Sequence, residues 1–357
     1  MKQSKRISSL ELLRIISMIW IVAYHWQIHA DNDQIIFSRL NMNQVFSFVM
    51  GSWGTLGVDI FFIISAYFLI NSKSVKWVKV YNLIIKVSIY GTSVLVLAFI
   101  LKIIPFSFVD LLKSLLGVFA YQYWFITVYI VVYILHPALN CILENLTKRY
   151  SLIMLSVLIV ITYGIGFVFS GEFIGRLSCG ITIYLLVGYL EKVSKENIFV
   201  KYRYWGSGIF FIGIIFLEII LSYLGNEYSI VFFKLIRKVQ DTHSPIMLTA
   251  SFFIFYLFRM WQKSNDKVTD FISRYIVGAY MLHGGASFLK SYVWDGLFKA
   301  GKYYNGSFAN YALKYATSIC LMVVFGIVCE YLYVNIVERV TEKGYIILLE
   351  QLKKRKK

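Results

Sequence analysis

The chain has 357 residues, of which 59% are hydrophobic and only 15% charged, and its formal net charge is +17. Its mean hydropathy of +0.67 is far above what a soluble globular domain shows, because apolar and charged residues are more nearly balanced there. The basic residues stand in short clusters between apolar runs, without the polar surface that a nucleic-acid-binding domain needs. We therefore exclude nucleic acid as a partner and predict an integral membrane protein.

About ten apolar runs come close to the ~20 residues that a transmembrane helix requires. They predict an all-α, polytopic helical bundle, with a transmembrane domain over 1–340 and a basic tail over 341–357. Most of the 36 lysines and arginines fall in segments that lie inside if both termini are cytoplasmic, and we predict that orientation. The tail would then face anionic membrane lipids. In chain order the predicted spans are 8–28, 51–70, 82–104, 117–136, 150–169, 175–190, 206–224, 244–260, 271–289 and 312–336.

The first span resembles a secretory signal peptide, because basic residues precede an apolar stretch. Glu11 and Arg14 interrupt what would be its uncharged core, and the apolar part is long enough to cross a membrane. We therefore expect that this segment is retained as a span.

The same span carries ionisable residues that are costly inside a bilayer and so require a partner or a function. Glu11 and Arg14 are three residues apart and can pair on one face of a helix. Arg14 and His25 also share a face, separated by ~16 Å along the helix axis. An imidazole is suited to accept a proton from a hydroxyl near neutral pH. The alternative interpretation is that Glu11 and Arg14 form an inert ion pair at the membrane interface and that His25 is an interface residue without a catalytic role.

The second span opens with Gly51, Gly54 and Gly57, which permit close approach of a neighbouring helix. Asp59 follows, and we expect it close in depth to His25, where it would orient the imidazole. Its alternative role is an acidic residue near a helix N-terminus, which the helix dipole favours.

Other polar residues have weaker signals. His29 follows His25 at metal-ligand spacing with Asp31 and Asp33 nearby, but nothing completes a zinc site, and we expect no metal. His283 would either line the cavity or hydrogen-bond to a neighbouring helix. The acids Glu218 and Glu330 are possible partners of Arg14 or Lys314.

At this point the chain resembles the membrane-bound acyltransferase-3 family along essentially its whole length. The most specific element is an Arg or Lys separated by ten residues from a His in the first span, here Arg14 and His25. The second is a Gly-Val-Asp-x-Phe-Phe-x-x-Ser-Gly-Tyr signature, met by 57–67 except that Ala66 replaces the usual Gly. Weaker similarities are a Trp-Phe span from Trp124 that ends in Pro137, the short sixth span, and a Tyr-x-x-His element at 280–283.

The resemblance implies an O-acetyltransferase of the bacterial plasma membrane. It would move an acyl group from cytoplasmic acetyl-CoA, or another acyl-CoA, to a hydroxyl of a capsular, cell-surface or lipid-linked polysaccharide. His25 would be the general base or a transient acyl carrier, Arg14 would hold the donor's phosphate or thioester oxygen, and Asp59 would position His25. The remaining expected donor- or substrate-binding residues are Glu11, Ser65, Tyr67, Lys73, Lys76, Trp124 and His283.

The competing functional class is a proton-coupled transporter or flippase, in which buried charges relay protons or bind substrate. Such folds often show two-half symmetry and spans broken by Gly or Pro at matching positions. Neither pattern is evident in this sequence, so we favour the enzyme.

The predicted orientation is testable by cysteine labelling. In intact cells a membrane-impermeant thiol reagent should modify a cysteine introduced at position 31, and it should reach position 76 only after permeabilisation. The opposite pattern would invert the topology.

Overall fold

The computed structural model describes residues 7–29, 40–169, 172–194, 196–261, 263, 266–285, 292–342, 344–345 and 351. Helices joined by short connections make up this part of the chain, and no strand occurs in it. The predicted all-α class is therefore confirmed. Asp31 and Asp33 lie outside the described residues, as does most of the predicted tail.

The main helices are labelled in chain order. They are α1 Ser8–His29, α2 Met42–Leu69, α3 Trp77–Ile100, α4 Phe108–Leu116, α5 Trp124–Asn145, α6 Lys148–Val168, α7 Phe173–Val193, α8 Arg203–Glu227, α9 Val231–Val239, α10 Pro245–Arg259, α11 Lys267–Tyr275, α12 Val277–His283 and α13 Phe308–Glu342.

Among the described residues seven helices are long and apolar enough to cross a membrane, namely α2, α3, α5, α6, α7, α8 and α13. The chain is thus a multi-pass membrane protein. The other three predicted spans are helical but shorter or more polar. The polar residues Glu11, Arg14 and His25 lower the hydropathy of α1, and α10 has only 15 residues. The predicted span 271–289 divides at Ile276 into α11 and α12.

The expected end of the fourth span at Pro137 was wrong, because α5 continues through this proline to Asn145. A proline has no N–H and leaves the carbonyl four residues earlier without its helical donor. That carbonyl belongs to Tyr133, and Nδ1 of the buried His136 donates to it over 2.5 Å. The imidazole therefore replaces the missing backbone bond inside the membrane, where water is absent.

Helices α1 and α2 pack antiparallel along three glycines of α2, which confirms the predicted close approach. Gly51 lies against Gln27, Gly54 against Tyr24, and Gly57 against Ile21 and the carbonyl of Ser17. A Cβ atom at Gly54 or Gly57 would overlap these neighbours. Helix α2 is central to the bundle, since 89% of its most apolar 18-residue window is buried, compared with 22% for α6 and α8.

This packing predicts that Gly57→Leu destabilises the protein. The new side chain would force α1 and α2 apart, and overpacking of this kind typically costs about 1–3 kcal/mol. Thermal unfolding of the purified protein in detergent should show a lower midpoint. The matched control is Gly213→Leu on α8, where no atom lies within 4 Å of an added Cβ. Equal midpoints for the two variants would contradict the close-packing argument.

Candidate active site

A cavity of about 830 Å³ opens at the end of the bundle where α1 terminates, which we call the His29 end. The opposite end, where α1 begins, is the Ser8 end. The cavity wall is built from α1, α2, the segment 104–122, the first residues of α5 and α7, the segment 240–242 and the end of α12. Its lining residues with functional side chains include Tyr24, His25, His29, Thr55, Asp110, Lys113, Tyr121, Gln122, Trp124, Glu172, Arg176, Gln240, Asp241 and Tyr280.

Three imidazoles cluster at this cavity. The ring centre of His25 lies 4.6 Å from that of His283 and 5.3 Å from that of His29, both in edge-to-face geometry. His25 and His29 line the cavity, and the fully buried His283 packs behind His25. Nδ1 of His283 donates to the carbonyl oxygen of Ala279, so in the neutral ring Nε2 is the basic nitrogen. The arrangement can accept a proton and share it among neighbouring rings.

Arg14 lies outside the wall of this cavity, in the half of α1 nearer the Ser8 end. Its Nη1 donates to both carboxylate oxygens of Glu11, at 2.9 and 3.1 Å, so the predicted pair forms. The guanidinium carbon also stands 5.5 Å from the ring centre of Phe68. An arginine held against one carboxylate and one ring keeps N–H donors for a further anion.

A smaller cavity of about 310 Å³ lies at the Ser8 end, bounded by α1, α2 and α7. Tyr67 and Phe68 line it, together with Glu191 and Lys192. Arg259 of α10 stands 5.0 Å from the Tyr67 ring centre and donates to Glu191 over 2.7 Å. The two cavities share no lining residue.

The other residues predicted to bind the donor lie in the last turns of α2 or in the connection after it. Ser65 is half-buried within the helix, and Lys73 and Lys76 are exposed in the connection to α3. The backbone N–H of Lys76 donates to the Tyr133 hydroxyl, over 3.3 Å, which fixes this connection against α5.

The structure does not bring Asp59 beside His25. Since Gly54 meets Tyr24 and Gly57 meets Ile21 and Ser17, Asp59 lies more than one turn deeper in the bundle than His25. Asp59 is only 1% exposed and is absent from the cavity wall. The expected similar depth was wrong because Gly54 is the residue of α2 that packs against Tyr24, next to His25, and Asp59 lies five residues further into the bundle than Gly54.

Trp124 lies in the cavity wall, as expected of a substrate-binding residue, and a cation covers one face of its ring. The guanidinium carbon of Arg176, at the start of α7, lies 4.4 Å from the Trp124 ring centre. Tyr121 packs nearby and has left-handed backbone geometry, with φ of 57°. Burial raises the pKa of the Tyr121 hydroxyl, and the positive charge of Arg176 partly opposes that rise.

The cavity segment 240–242 is held by a buried polar network between α2 and α8. Nε2 of Gln240 donates to the carbonyl oxygen of Phe48 over 2.9 Å, and the hydroxyl of Thr55 donates to the Gln240 carbonyl. The Ser52 hydroxyl donates to the fully buried Glu218 over 2.6 Å. Glu218 therefore supports the cavity wall and does not pair with Arg14 or Lys314.

Glu330, the other unassigned acid, pairs with Lys86 of α3 over 2.5 Å and accepts a hydrogen bond from Tyr90. Lys314 stands over the ring of Tyr303. These contacts tie α3 to α13 at a distance from the His25 cavity.

Asp241 pairs with His243. The Oδ1 atom of Asp241 lies 2.6 Å from Nδ1 of His243 and accepts a hydrogen bond from the His243 backbone N–H over 2.9 Å. The imidazole itself is buried between Gly166 of α6 and Gly175 of α7. Burial tends to raise the pKa of Asp241, but the hydrogen bonds from His243 outweigh it, and the pKa is lowered.

Sequence reasoning missed Arg176, Tyr121 and Asp241. Arg176 falls at the start of the predicted span 175–190, and a charge at the start of a membrane-buried run is a functional candidate. Asp241 carried a signal too, since an acid two residues before a histidine suits a local pair. The left-handed Tyr121 had no signal, because such a backbone is usually supplied by glycine.

Metal binding requires several ligand side chains that lie close together. No group of three or more His, Cys, Asp or Glu side chains in the described ranges has an arrangement that could hold a metal ion.

Comparison with known proteins identifies one family. A model described as an acyltransferase domain, Acyl_transf_3, matches residues 7–331 and so covers α1 through most of α13. No curated protein and no solved structure matches the chain.

The Asp241–His243 pair predicts a stability effect that depends on pH. A carboxylate with a lowered native-state pKa stabilises the fold above its usual value, 3.8 here, and loses that effect as the pH falls through the native-state pKa. Asp241→Asn should therefore lower the thermal midpoint near neutral pH, and its difference from the wild type should shrink below about pH 4. The control is Asp110→Asn, an exposed carboxylate at the same cavity. A difference that is constant with pH would contradict the pairing.

Proposed function

The chain belongs to the acyltransferase-3 family, and we propose that this membrane acyltransferase is an O-acetyltransferase of a cell-surface polysaccharide. The donor would be cytoplasmic acetyl-CoA or another acyl-CoA. The acceptor would be a hydroxyl of a capsular or lipid-linked glycan on the outer side of a bacterial plasma membrane. The observation that carries this proposal is the position of His25 in the wall of a large cavity, about 11 residues along one helix from Arg14.

The acceptor side of the proposal rests on the cavity at the His29 end. A volume of about 830 Å³ falls in the range of small-molecule pockets and admits at least a disaccharide-sized ligand. Aromatic rings and hydroxyl, amide and carboxylate groups line it together, a mixture that suits a polar ligand with apolar ring faces. His25 would meet the acceptor hydroxyl from the α1 wall.

The donor side rests on the Ser8 end. The pair Arg14–Glu11 and the small cavity with Tyr67 lie there, and Lys73 and Lys76 expose two further cations. We assign the donor's phosphates to these cations and to Arg14, because arginine binds oxyanions with paired N–H groups. Ser65 would line the path between them.

In the reaction His25 removes the proton from the acceptor hydroxyl as its oxygen bonds to the thioester carbonyl carbon. The carbon–sulfur bond then breaks, the ester stays on the glycan, and the proton passes from the imidazolium to the CoA thiolate. His283 would hold His25 in position, with its own Nδ1 fixed by Ala279.

We expect His25→Ala to lower acetyl transfer by a factor of ~100 or more, because general base catalysis typically contributes 10²–10⁴-fold. Arg14→Ala should also reduce transfer, mainly through a higher KM for acetyl-CoA. The measurement is transfer of labelled acetyl from acetyl-CoA to surface glycan in membranes that contain each variant.

Two variants serve as matched controls. His136→Gln changes a buried imidazole of α5 outside the cavity and can keep the hydrogen bond to Tyr133. Arg203→Ala removes an arginine that stacks on Tyr204, away from both cavities. Full modification of glycan by the His25→Ala protein would overturn the mechanism. Proton-coupled substrate flux without acyl transfer would instead favour a transporter.

A further inference from the structure

Arg176 is a cation in the His25 cavity that forms no ion pair with any carboxylate among the described residues. It lines the cavity at the first turns of α7 and is half-buried. The ion pairs found among the described residues involve Arg14, Lys86, Lys192, His243, Arg259 and Lys263, and do not include Arg176. A half-buried guanidinium that lines an open cavity and forms no ion pair keeps its charge available for an anion that enters the cavity.

The contacts of Arg176 orient the group without neutralising it. Trp124 offers only the face of its ring, which holds the guanidinium plane by a cation–π contact. The N–H donors lie along the edge of that plane, and a guanidinium has five of them. Tyr121 and Tyr280 also line the cavity, and their hydroxyls are buried with no hydrogen-bond partner among the described residues. A guanidinium held against the Trp124 ring, with unpartnered phenol hydroxyls in the same cavity wall, suits an oxyanion.

The local backbone of the segment before α5 is shaped to build this pocket. Tyr121 has positive φ, a conformation that is unfavourable for a residue with a side chain. Its ring packs edge-to-face on Phe173 at 5.3 Å, three residues before Arg176. The strained residue thereby joins the start of α7 to the wall that carries Trp124.

The acidic residues of the cavity do not occupy this pocket. Asp110 and Glu172 are exposed, and Asp241 is engaged by His243. These carboxylates reduce the general attraction of anions to the cavity, and the other lining cation, Lys113, is exposed to water, so an anion gains most where it reaches the half-buried Arg176 directly. The arrangement therefore favours recognition of one group on a larger ligand.

We propose that Arg176 is a specificity-determining residue that binds an oxyanion, a carboxylate or a phosphate, on the acceptor glycan. The acceptor of this chain is then an acidic glycan whose anionic group lies close to the hydroxyl presented to His25. This inference rests on the proposed function for the role of the cavity, but the binding of an acidic sugar can be measured without acyl transfer.

The test uses the purified full-length protein and three probes: a disaccharide with a hexuronic acid, one with a phosphate diester, and the matching neutral disaccharide. We expect wild type to bind one acidic probe more tightly than the neutral one. Arg176→Gln should weaken that binding about 10- to 100-fold, as loss of a charge-assisted hydrogen bond does, and leave neutral binding unchanged. Arg176→Lys should retain part of the preference, and Arg203→Gln should retain all of it.

The same variants with acetyl-CoA separate the possible failures. Arg176→Gln should raise KM for the acidic acceptor and leave kcat close to wild type. Equal losses on acidic and neutral probes would overturn the inference and make Arg176 a structural or oxyanion-stabilising residue. A wild-type protein that binds acidic and neutral probes equally well would also overturn it. Arg176-dependent binding of an acidic probe without any acetyl transfer would support the inference and refute the proposed O-acetyltransferase.

Discussion

The close packing of α1 against α2 is the constraint on which the rest of the structure depends. Gly51, Gly54 and Gly57 bring the two backbones together, so α1 is enclosed although it is too polar to be one of the apolar spans. A helix with a Glu, an Arg and two His residues can exist at membrane depth only when other helices cover it. The glycines therefore make the charged and titratable residues of α1 possible at this depth, since they replace lipid contact with protein contact.

Several buried polar groups elsewhere in the described part of the chain are likewise met by a hydrogen-bond or ion-pair partner from the protein. Glu218 is met by Ser52 and Gln240, Glu330 by Lys86, and the carbonyl exposed by Pro137 by His136. The Glu218 and Glu330 contacts also connect helices that are distant in sequence, so these polar groups fix the relative positions of apolar helices that dispersion alone would leave less specific. Arg176 differs from them because no carboxylate among the described residues meets it, which is why we associate it with a ligand.

The sequence was sufficient for the fold class, the family and the pairing of Glu11 with Arg14, because these depend on apolar length and on spacing within one helix. It was insufficient where two helices had to be placed relative to each other. The depth of Asp59 depends on the register of α2 against α1, and His283 could be joined to His25 only through the packing of α12 on α1. The wall that contains Tyr121 and Arg176 depends on a strained turn, which hydropathy does not report.

The separation of Arg14 from His25 has a mechanistic consequence. Their positions on one helix face are ~16 Å apart, and the cavities on the two sides share no lining residue. Under the proposed function, a donor bound near Arg14 would have to extend its thioester along the α1–α2 interface, or that interface would have to open, before the acyl group reached the cavity that holds His25. Water is a competing acceptor for an activated acyl group, and a closed interface between the two sites limits its access. The packing that shields the charges of α1 from lipid would then also protect the thioester from hydrolysis.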